Sequence, residues 1–215
     1  DCVASALNIP CFETPTGWKF FGNLLDSNLI SICGEESFGT GSNHVREKDG
    51  LWAVLYWLQI LAVKNCSVSE LVQNHWKKYG RNYYSRHDYE AIPSDIANKI
   101  FNDLSSKLQS LKGNKFAGTL VKGADNFSYV DPVDNSISKN QGLRIILEDN
   151  SRVILRLSGT GTKGSTLRLY FEKFASSNEN LALNPQIALK TLIDDLDDLL
   201  GITKLTKMDK PTVIT

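Results

Sequence analysis

A glycine-rich segment between two arginines has the most specific chemistry in the sequence. It runs from Arg156 to Arg168, and its glycines let successive backbone N–H groups converge on one anion. The hydroxyl and glycine positions between the arginines include Ser158, Gly159, Thr160, Gly161, Thr162 and Gly164. A guanidinium group matches phosphate oxygens in a bidentate way. The segment therefore predicts a phosphate clamp, although an ordinary hairpin loop with solvated arginines explains the pattern about as well.

A second polar segment follows a short apolar run. Residues 29–33 predict a buried strand, and residues 34–42 read Gly-Glu-Glu-Ser-Phe-Gly-Thr-Gly-Ser. Ligands bind at the carboxyl ends of strands in open α/β sheets. Glu35 and Glu36, with the hydroxyl of Ser37, can form hydrogen bonds to a polyol. Without further information, these residues favour a solvated turn over a sugar site.

Lys48 gives weak support for an anion near this segment. We predict a helix from about Val45 to Val63 that is capped by Ser42 or Asn43, which places Lys48 in its first turn. There the helix dipole disfavours a cation by about 0.3–1 kcal/mol. A bound anion would offset this cost, and so would the neighbouring carboxylates of Glu47 and Asp49.

Strands and helices alternate over the first 80 residues, which is typical of a piece of an α/β domain. Thr16 and Gly17 lie in a loop that precedes an aromatic helix, where the pair can approach a ligand closely. Another helix is predicted to begin after Ser67, which forms a capping box with Glu70, and to end at Gly80. The polar and aromatic stretch 81–93 is interpreted as a connection between domains.

The rest of the chain predicts an α+β domain, an antiparallel sheet with helices on one face. A helix covers Ser94–Leu111, and a last helix runs from Asn184-Pro185 to Gly201. Between them the hydrophobic period is two, which predicts an antiparallel meander. Its strands contain residues 143–147, 153–157 and 167–171. The alternation places Arg156 and Arg168 on the polar face, so pairing of their strands brings both guanidinium groups toward one mouth.

Composition excludes several classes of protein. The 215 residues include 24 Lys and Arg against 24 Asp and Glu, and this neutral balance argues against a nucleic-acid binder. No apolar run approaches the roughly 20 residues of a membrane span. The four cysteines form no CxxC pair and the three histidines lie far apart, so we expect no zinc site and a reducing compartment such as the cytoplasm. The chain begins at Asp1 without Met, so we expect a partial chain or a cleavage product.

Taken together, these segments resemble phosphoglucomutase of the α-D-phosphohexomutase superfamily. The resemblance extends over nearly the whole chain, and its motifs occur in the family's order. The motifs are residues 13–24 (Glu-Thr-Pro-Thr-Gly-Trp-Lys-Phe-Phe-Gly-Asn-Leu), 33–42, 45–53 (Val-Arg-Glu-Lys-Asp-Gly-Leu-Trp-Ala), 131–134 (Asp-Pro-Val-Asp) with 141–142, 156–161 (Arg-Leu-Ser-Gly-Thr-Gly) and 211–215 (Pro-Thr-Val-Ile-Thr).

The resemblance implies the fold and the activity. Residues 1–80 would end the family's third, sugar-recognising α/β domain, with a mixed sheet and helices. Residues 81–215 would form its fourth, phosphate-clamping domain, an α+β domain like the TATA-box-binding protein. The family interconverts glucose 1-phosphate and glucose 6-phosphate through glucose 1,6-bisphosphate, with a phosphoserine and a Mg²⁺ held by an Asp-rich loop. This chain contains neither the serine loop nor the metal loop, so alone it is predicted to be inactive.

The resemblance also implies residue roles. The substrate-binding positions would be Thr16, Gly17, Glu35, Ser37, Arg46 and Lys48. The phosphate-binding positions would be Arg156, Ser158, Gly159, Thr160, Gly161, Thr162 and Arg168. The expected partners are small-molecule sugar phosphates and the missing N-terminal domains, with no nucleic acid and no membrane span. Mild departures from the family occur at Asn43, Thr162, Lys163 and Ser165.

Two alternatives stay open. A catalytically silent relative could act as a binding or scaffold protein, although the intact sugar and phosphate motifs argue against it. A mutase for mannose or N-acetylglucosamine phosphates is the other possibility. The Gly-Glu-Glu-Ser loop and the long motif 45–53 favour the glucose branch instead.

Overall fold

Residues 1–161 and 164–215 are described by the structure, a computed structural model. Their internal contacts divide the chain into two units. The first unit is Asp1–Gly80 together with Tyr129–Ser138, and the second is Arg81–Ser128 together with Lys139–Thr215. A short segment from the second half of the sequence therefore belongs to the first unit.

Helices and a short hairpin form the larger part of the first unit. The helices are α1 (Cys2–Leu7), α2 (Trp18–Asp26), α3 (Gly50–Lys64) and α4 (Val68–Tyr79). Strand β1 (Ile32–Gly34) pairs antiparallel with β2 (Thr40–Ser42). The capping box predicted for α4 is confirmed, because Ser67 accepts from the backbone of Glu70, whose side chain accepts from the backbone of Ser67. Gly80 follows the last residue of this helix, as predicted.

The predicted start of α3 was wrong. Asp49, not Ser42 or Asn43, caps this helix, and its side chain accepts a 2.9 Å hydrogen bond from the backbone N–H of Trp52. The helix therefore begins at Gly50, and Lys48 lies before it rather than in its first turn. The argument from the helix dipole, which needs Lys48 inside the helix, no longer applies.

Helix α3 is strongly apolar but carries no buried residue. Leu51 is 80% exposed and Leu55 is 67% exposed, so the stripe of leucines is uncovered by the described part of the chain. A helix that is apolar on several sides is typical of a protein interior. In the described ranges no single helix is both long and apolar enough to cross a bilayer, while α3 and α4 together meet that test with an 80° bend between them.

The second unit is built on a long antiparallel sheet. Its strands in chain order are β3 (Arg81–Ile92), β4 (Lys115–Phe116), β5 (Thr119–Asn126), β8 (Leu143–Leu147), β9 (Arg152–Gly161), β10 (Gly164–Ala175) and β11 (Val213–Ile214), with the hairpin β6 (Tyr129–Val130) and β7 (Ile137–Ser138) inserted between β5 and β8. Across the sheet the order is β11-β3-β10-β9-β8-β5-β4. The predicted meander is thus confirmed in β8, β9 and β10.

Strand β3 is a correction to the sequence analysis, which interpreted residues 81–93 as a connection between domains. It pairs with β10 along almost its whole length. Its inward positions alternate, and they include Tyr83 and Tyr89 as well as the buried polar residues Ser85 and His87. These two polar side chains interrupt the apolar pattern by which a buried strand is recognised.

Helices cover one face of this sheet. They are α5 (Ser94–Leu111), α6 (Pro185–Ala188), α7 (Lys190–Leu200) and α8 (Ile202–Thr206). The predicted helix 94–111 is confirmed, whereas the predicted last helix is broken at Leu189, which is fully buried and ends α6 at φ −95°. Ile100 and Leu104 of α5 pack with Leu155 and Leu169 of the sheet in one apolar core.

The hairpin β6–β7 packs in the first unit. The rings of Phe20 and Tyr129 meet edge to face with centroids 5.2 Å apart. Asn23 donates a 3.0 Å hydrogen bond to Oδ2 of Asp131, which is 1% exposed, and the backbone of Val133 donates to its Oδ1. Since buried carboxylates need such partners, helix α2 stabilises the hairpin's conformation.

Candidate functional site

Two arginines face each other on the polar side of the second unit. Arg156 of β9 is the direct cross-strand partner of Arg168 of β10, as their alternation in the sequence predicted. On its other side, Arg168 is opposite Asp88 of β3. Three charged residues therefore lie in one row across β3, β10 and β9. Like charges directly opposite each other destabilise a sheet, so this row favours a bound anion.

Asp88 lies beneath two guanidinium groups. Its Oδ1 is 3.1 Å from Nε of Arg86, and its Oδ2 is 3.7 Å from Nε of Arg168. The residue is 3% exposed although it belongs to the polar face of the sheet. Sequence analysis missed this carboxylate because it interpreted residues 81–93 as a linker. The signal that could have found it is the period of two in residues 83–89.

The first position of β10 requires glycine. Gly164 has φ +92°, and an added Cβ would lie 2.9 Å from the carbonyl oxygen of Ile92. Gly159 also has positive φ, at 76°, while Ser158 is opposite Thr166 in the ladder. Thr162 lies outside the described residues. For Thr160 and Gly161 the structure describes the backbone, which belongs to β9.

In the first unit, Glu35 opens the turn between β1 and β2. Its backbone N–H donates a 2.8 Å hydrogen bond to the carbonyl of Gly39, and the backbone of Phe38 donates to its carbonyl. The side chain of Glu35 is only 8% exposed and forms a 2.5 Å ion pair with Nζ of Lys48. Ser37, at the tip of the same turn, is exposed.

Lys48 is held over this turn by close packing. A Cβ added to Gly39 would lie 2.7 Å from Cδ of Lys48, so the lysine chain passes directly above the glycine. The ammonium group also lies 5.6 Å from the ring centroid of Trp18. Its hydrogen bond to Glu35, together with nearby carboxylates, raises the pKa of Lys48. The structure thus brings Glu35 and Lys48 together.

Arg46, another predicted position of the first unit, has different partners. Arg46 donates a 2.6 Å hydrogen bond to Asp26 and a second one to the backbone carbonyl of Asn43. Thr16 is exposed, and Gly17, with φ +129°, precedes helix α2 as its N-cap.

The imidazole ring of His44 connects the two ends of the segment that carries Arg46 and Lys48. Nδ1 of His44 lies 2.5 Å from Oγ of Ser42, and its Nε2 lies 2.9 Å from Oδ2 of Asp49. The backbone N–H of Trp52 and then His44 hold the pKa of Asp49 below its usual value. Sequence analysis did not assign a role to His44. An Asp in front of an apolar helix is the signal that predicts such a cap.

Two family models match the chain, one over each of its parts. A family model described as "Phosphoglucomutase-1, C-terminal domain" matches residues 81–212, and one described as "Phosphoglucomutase/phosphomannomutase, alpha/beta/alpha domain III" matches residues 1–79. The chain belongs to the phosphoglucomutase family. The resemblance inferred from the motifs is thereby confirmed.

Relatives at high identity match the whole of this chain. It is 56% identical over 215 residues to the phosphoglucomutase of Rhizobium radiobacter and 50% identical over 221 residues to phosphoglucomutase-1 of Homo sapiens. It spans 40% and 39% of the length of these two proteins. A crystal structure of the Paramecium protein pp63/parafusin, described as a phosphoglucomutase in its open form, has a TM-score of 0.90 and 51% identity, with 99% of this chain and 37% of that chain covered. The predicted fold class is confirmed by this likeness.

Proposed function

We propose that the protein is a phosphoglucomutase that interconverts glucose 1-phosphate and glucose 6-phosphate through glucose 1,6-bisphosphate. The observation that carries the proposal is the direct pairing of Arg156 on β9 with Arg168 on β10, a strand that begins at a position, Gly164, that requires glycine. Two guanidinium groups at one mouth suit the oxygens of a phosphate group. Ser158, Gly159, Thr160, Gly161 and Thr162 would complete this clamp.

We assign the two family domains different tasks. Residues 1–80 would recognise the sugar, and residues 81–215 would hold the phosphate that does not react. In the sugar site, Glu35 and Ser37 would accept hydrogen bonds from hydroxyl groups. Lys48 would hold the side chain of Glu35 in place through their 2.5 Å contact. The remaining predicted contacts of this site are Thr16, Gly17 and Arg46.

Fixed positioning is the contribution that these residues would make to phosphoryl transfer. The transition state needs little covalent help from the protein, but it does need the transferring group and its acceptor in line. One phosphate held by two arginines leaves the other end of the sugar to react. Since a carboxylate and a hydroxyl recognise a sugar from either end, the same set of side chains can serve both half-reactions.

We place the groups that carry the phosphoryl chemistry outside this chain. The phosphoserine and the ligands of the Mg²⁺ would belong to the missing N-terminal domains, which are the expected partners of this chain. Within residues 1–161 and 164–215, no three His, Cys, Asp or Glu side chains are grouped to hold a metal ion. The exposed leucines of helix α3 support the proposal that this helix is a contact surface for those missing domains. The chain alone is therefore predicted to be inactive.

The cysteines support a proposal for the cellular compartment of the protein. All four cysteines are free thiols, which supports our proposal of a reducing compartment such as the cytoplasm. Relatives at similar identity include the chloroplastic phosphoglucomutase of Solanum tuberosum, at 49% over 225 residues. Fractionation of the source cells with a compartment marker tests this proposal directly.

A coupled assay tests the proposed activity. The intact protein is supplied with glucose 1-phosphate, glucose 1,6-bisphosphate and Mg²⁺, and the formation of glucose 6-phosphate is followed. We expect turnover by the intact protein and none by residues 1–215 alone. Sugar-phosphate binding by the intact protein without turnover would instead identify a silent relative. Faster turnover of a mannose or N-acetylglucosamine phosphate would reassign the substrate.

A further inference from the structure

We propose that Asp88 is a positioning residue that sets the orientation of the Arg168 guanidinium group for phosphate. This inference rests on the proposed function. It adds a residue of β3 to a site whose predicted members lie on β9, β10 and the turn between them. Asp88 would act through Arg168 and would not touch the substrate.

The carboxylate of Asp88 is buried although it belongs to the polar face of β3. Side chains on the polar face of β3 point away from the apolar core, and Asp88 is nevertheless 3% exposed. Arg86 and Arg168, whose side chains are 18% and 38% exposed, cover it. A carboxylate withdrawn from water in this way costs free energy unless cations compensate it. Asp88 and the two arginines therefore form one electrostatic unit.

Asp88 and Arg168 form an ion pair without a hydrogen bond. Oδ2 of Asp88 lies 3.7 Å from Nε of Arg168, which is within range of an ion pair but too long for a hydrogen bond. Nε of Arg168 is buried and, among the described residues, donates no hydrogen bond. Asp88 thus attracts the guanidinium group without using its donors. The Nη groups of Arg168, whose side chain is 38% exposed, stay available for the oxygens of an anion.

Arg144, on the same sheet, pairs with an aspartate in a different way. Arg144 donates from Nε and from Nη2 to the two carboxylate oxygens of Asp125, at 2.8 Å and 2.7 Å. This bidentate pair leaves the fork of Arg144 occupied by protein. The fork of Arg168 is not occupied in this way by Asp88. The two pairs therefore differ in whether the aspartate occupies the N–H groups of the guanidinium fork, which a phosphate site needs for its ligand.

Asp88 is held in place by the strands on both sides of it. Its backbone carbonyl accepts a 2.8 Å hydrogen bond from the backbone N–H of Thr212, and Val213 of β11 is its cross-strand partner. On the other side it pairs with Arg168 in the ladder between β3 and β10. Because strands flank it on both sides, the carboxylate has a fixed origin from which to orient the arginine.

The test compares Asp88→Asn with Asp125→Asn in the intact protein. Asparagine keeps the size of the side chain and removes its charge. We expect Asp88→Asn to raise the KM for glucose 1-phosphate about tenfold, which corresponds to about 1.4 kcal/mol, while Asp125→Asn leaves KM unchanged. A purely structural role for Asp88 would lower the amount of active protein and hence the apparent kcat, but it would leave KM as it is.

A double-mutant cycle identifies the route of the effect. If Asp88 acts through Arg168, then Asp88→Asn adds no further rise in KM in the Arg168→Met background. Equal, independent effects of Asp88→Asn in both backgrounds would overturn the proposal. If Asp88→Asn does not fold, Asp88→Glu keeps the charge and lengthens the side chain, so we expect a raised KM there too. An unchanged KM in Asp88→Glu would then refute the positioning role.

Failure of the inference differs from failure of the proposed function. Absence of mutase activity in the wild-type intact protein would remove the function and with it this inference. An active wild type whose Asp88→Asn variant matches Asp125→Asn in KM would keep the function and remove only the role of Asp88.

Discussion

Arg156 and Arg168 lie directly opposite each other in the antiparallel ladder between β9 and β10. Two cations in this relation repel each other, and only one of them has Asp88 as its cross-strand neighbour. A bound phosphate would neutralise the surplus charge. At the proposed site, ligand binding would therefore stabilise the polar face of the sheet.

Arg156→Ala is the first variant to test. In the intact protein we expect it to reduce transition-state stabilisation by about 2–5 kcal/mol, because it removes one cation of a paired phosphate site. Steady-state kinetics with glucose 1-phosphate measure the change in kcat/KM. Arg144→Ala is the matched control, since this arginine lies on the same sheet but pairs with Asp125. An unchanged kcat/KM in Arg156→Ala would contradict the clamp.

Glu35→Gln tests the sugar site. The variant keeps the shape of the side chain but loses the charge that pairs with Lys48, so we expect weaker sugar recognition without loss of the fold. KM and a thermal unfolding curve are measured on the same sample. Glu47→Gln, an exposed carboxylate near the same lysine, serves as control. Disappearance of the thermal transition in Glu35→Gln would make Glu35 a structural residue.

Gly164→Ala tests whether the first position of β10 demands glycine. The new Cβ meets the backbone of Ala91 and Ile92 at 2.9–3.2 Å, in addition to the cost of positive φ. Gly118→Ala is a close control, because Gly118 has φ +80° but no atom within 4 Å of its added Cβ. Urea denaturation should show Gly164→Ala to be less stable than Gly118→Ala by about 1–3 kcal/mol. Equal midpoints would show that the neighbouring strand gives way at no cost.

His87 predicts a pH dependence of stability. Burial lowers its pKa from the ordinary value of 6.5, while its Nε2 contacts Oε1 of Gln186 at 3.0 Å. The unfolded chain therefore binds a proton that the folded chain resists, so this contribution to stability is fully present above about pH 6.5 and is lost as pH falls. Denaturation midpoints from pH 8 to pH 5 measure it.

The control for this pH effect is His87→Gln compared with wild type. The variant has no titrating group at this position, so its stability should fall less between pH 7 and pH 5. If His87→Gln keeps the wild-type slope, another group is responsible for the pH dependence.

Sequence patterns predicted the second unit better than the first. The period of two in β8, β9 and β10 and the long stripe of α5 each report burial on one face, and both were recognised. Strand β3 was missed because the core tolerates Ser85 and His87 there through hydrogen bonds to Gln186. Such compensation between distant residues leaves no periodic signal in the sequence.

Contacts between the candidate site residues could be predicted only in part, for a similar reason. The pairing of Arg156 with Arg168 follows from strand alternation alone and was predicted. The contact of Lys48 with Glu35 depends on where α3 begins, and that depends on the side chain of Asp49. Local capping choices of this kind shift a helix by a turn without changing its apolar pattern.

The hairpin β6–β7 limits how pieces of this family can be exchanged. A shortened protein that begins at Arg81 would retain the hairpin but lose Phe20 and Asn23, which cover Tyr129 and bind the buried carboxylate of Asp131. A chimera that takes its C-terminal domain from a distant relative would place a foreign hairpin on helix α2. Recombination between family members should therefore succeed most often when the segments around Phe20 and Asp131 come from the same parent.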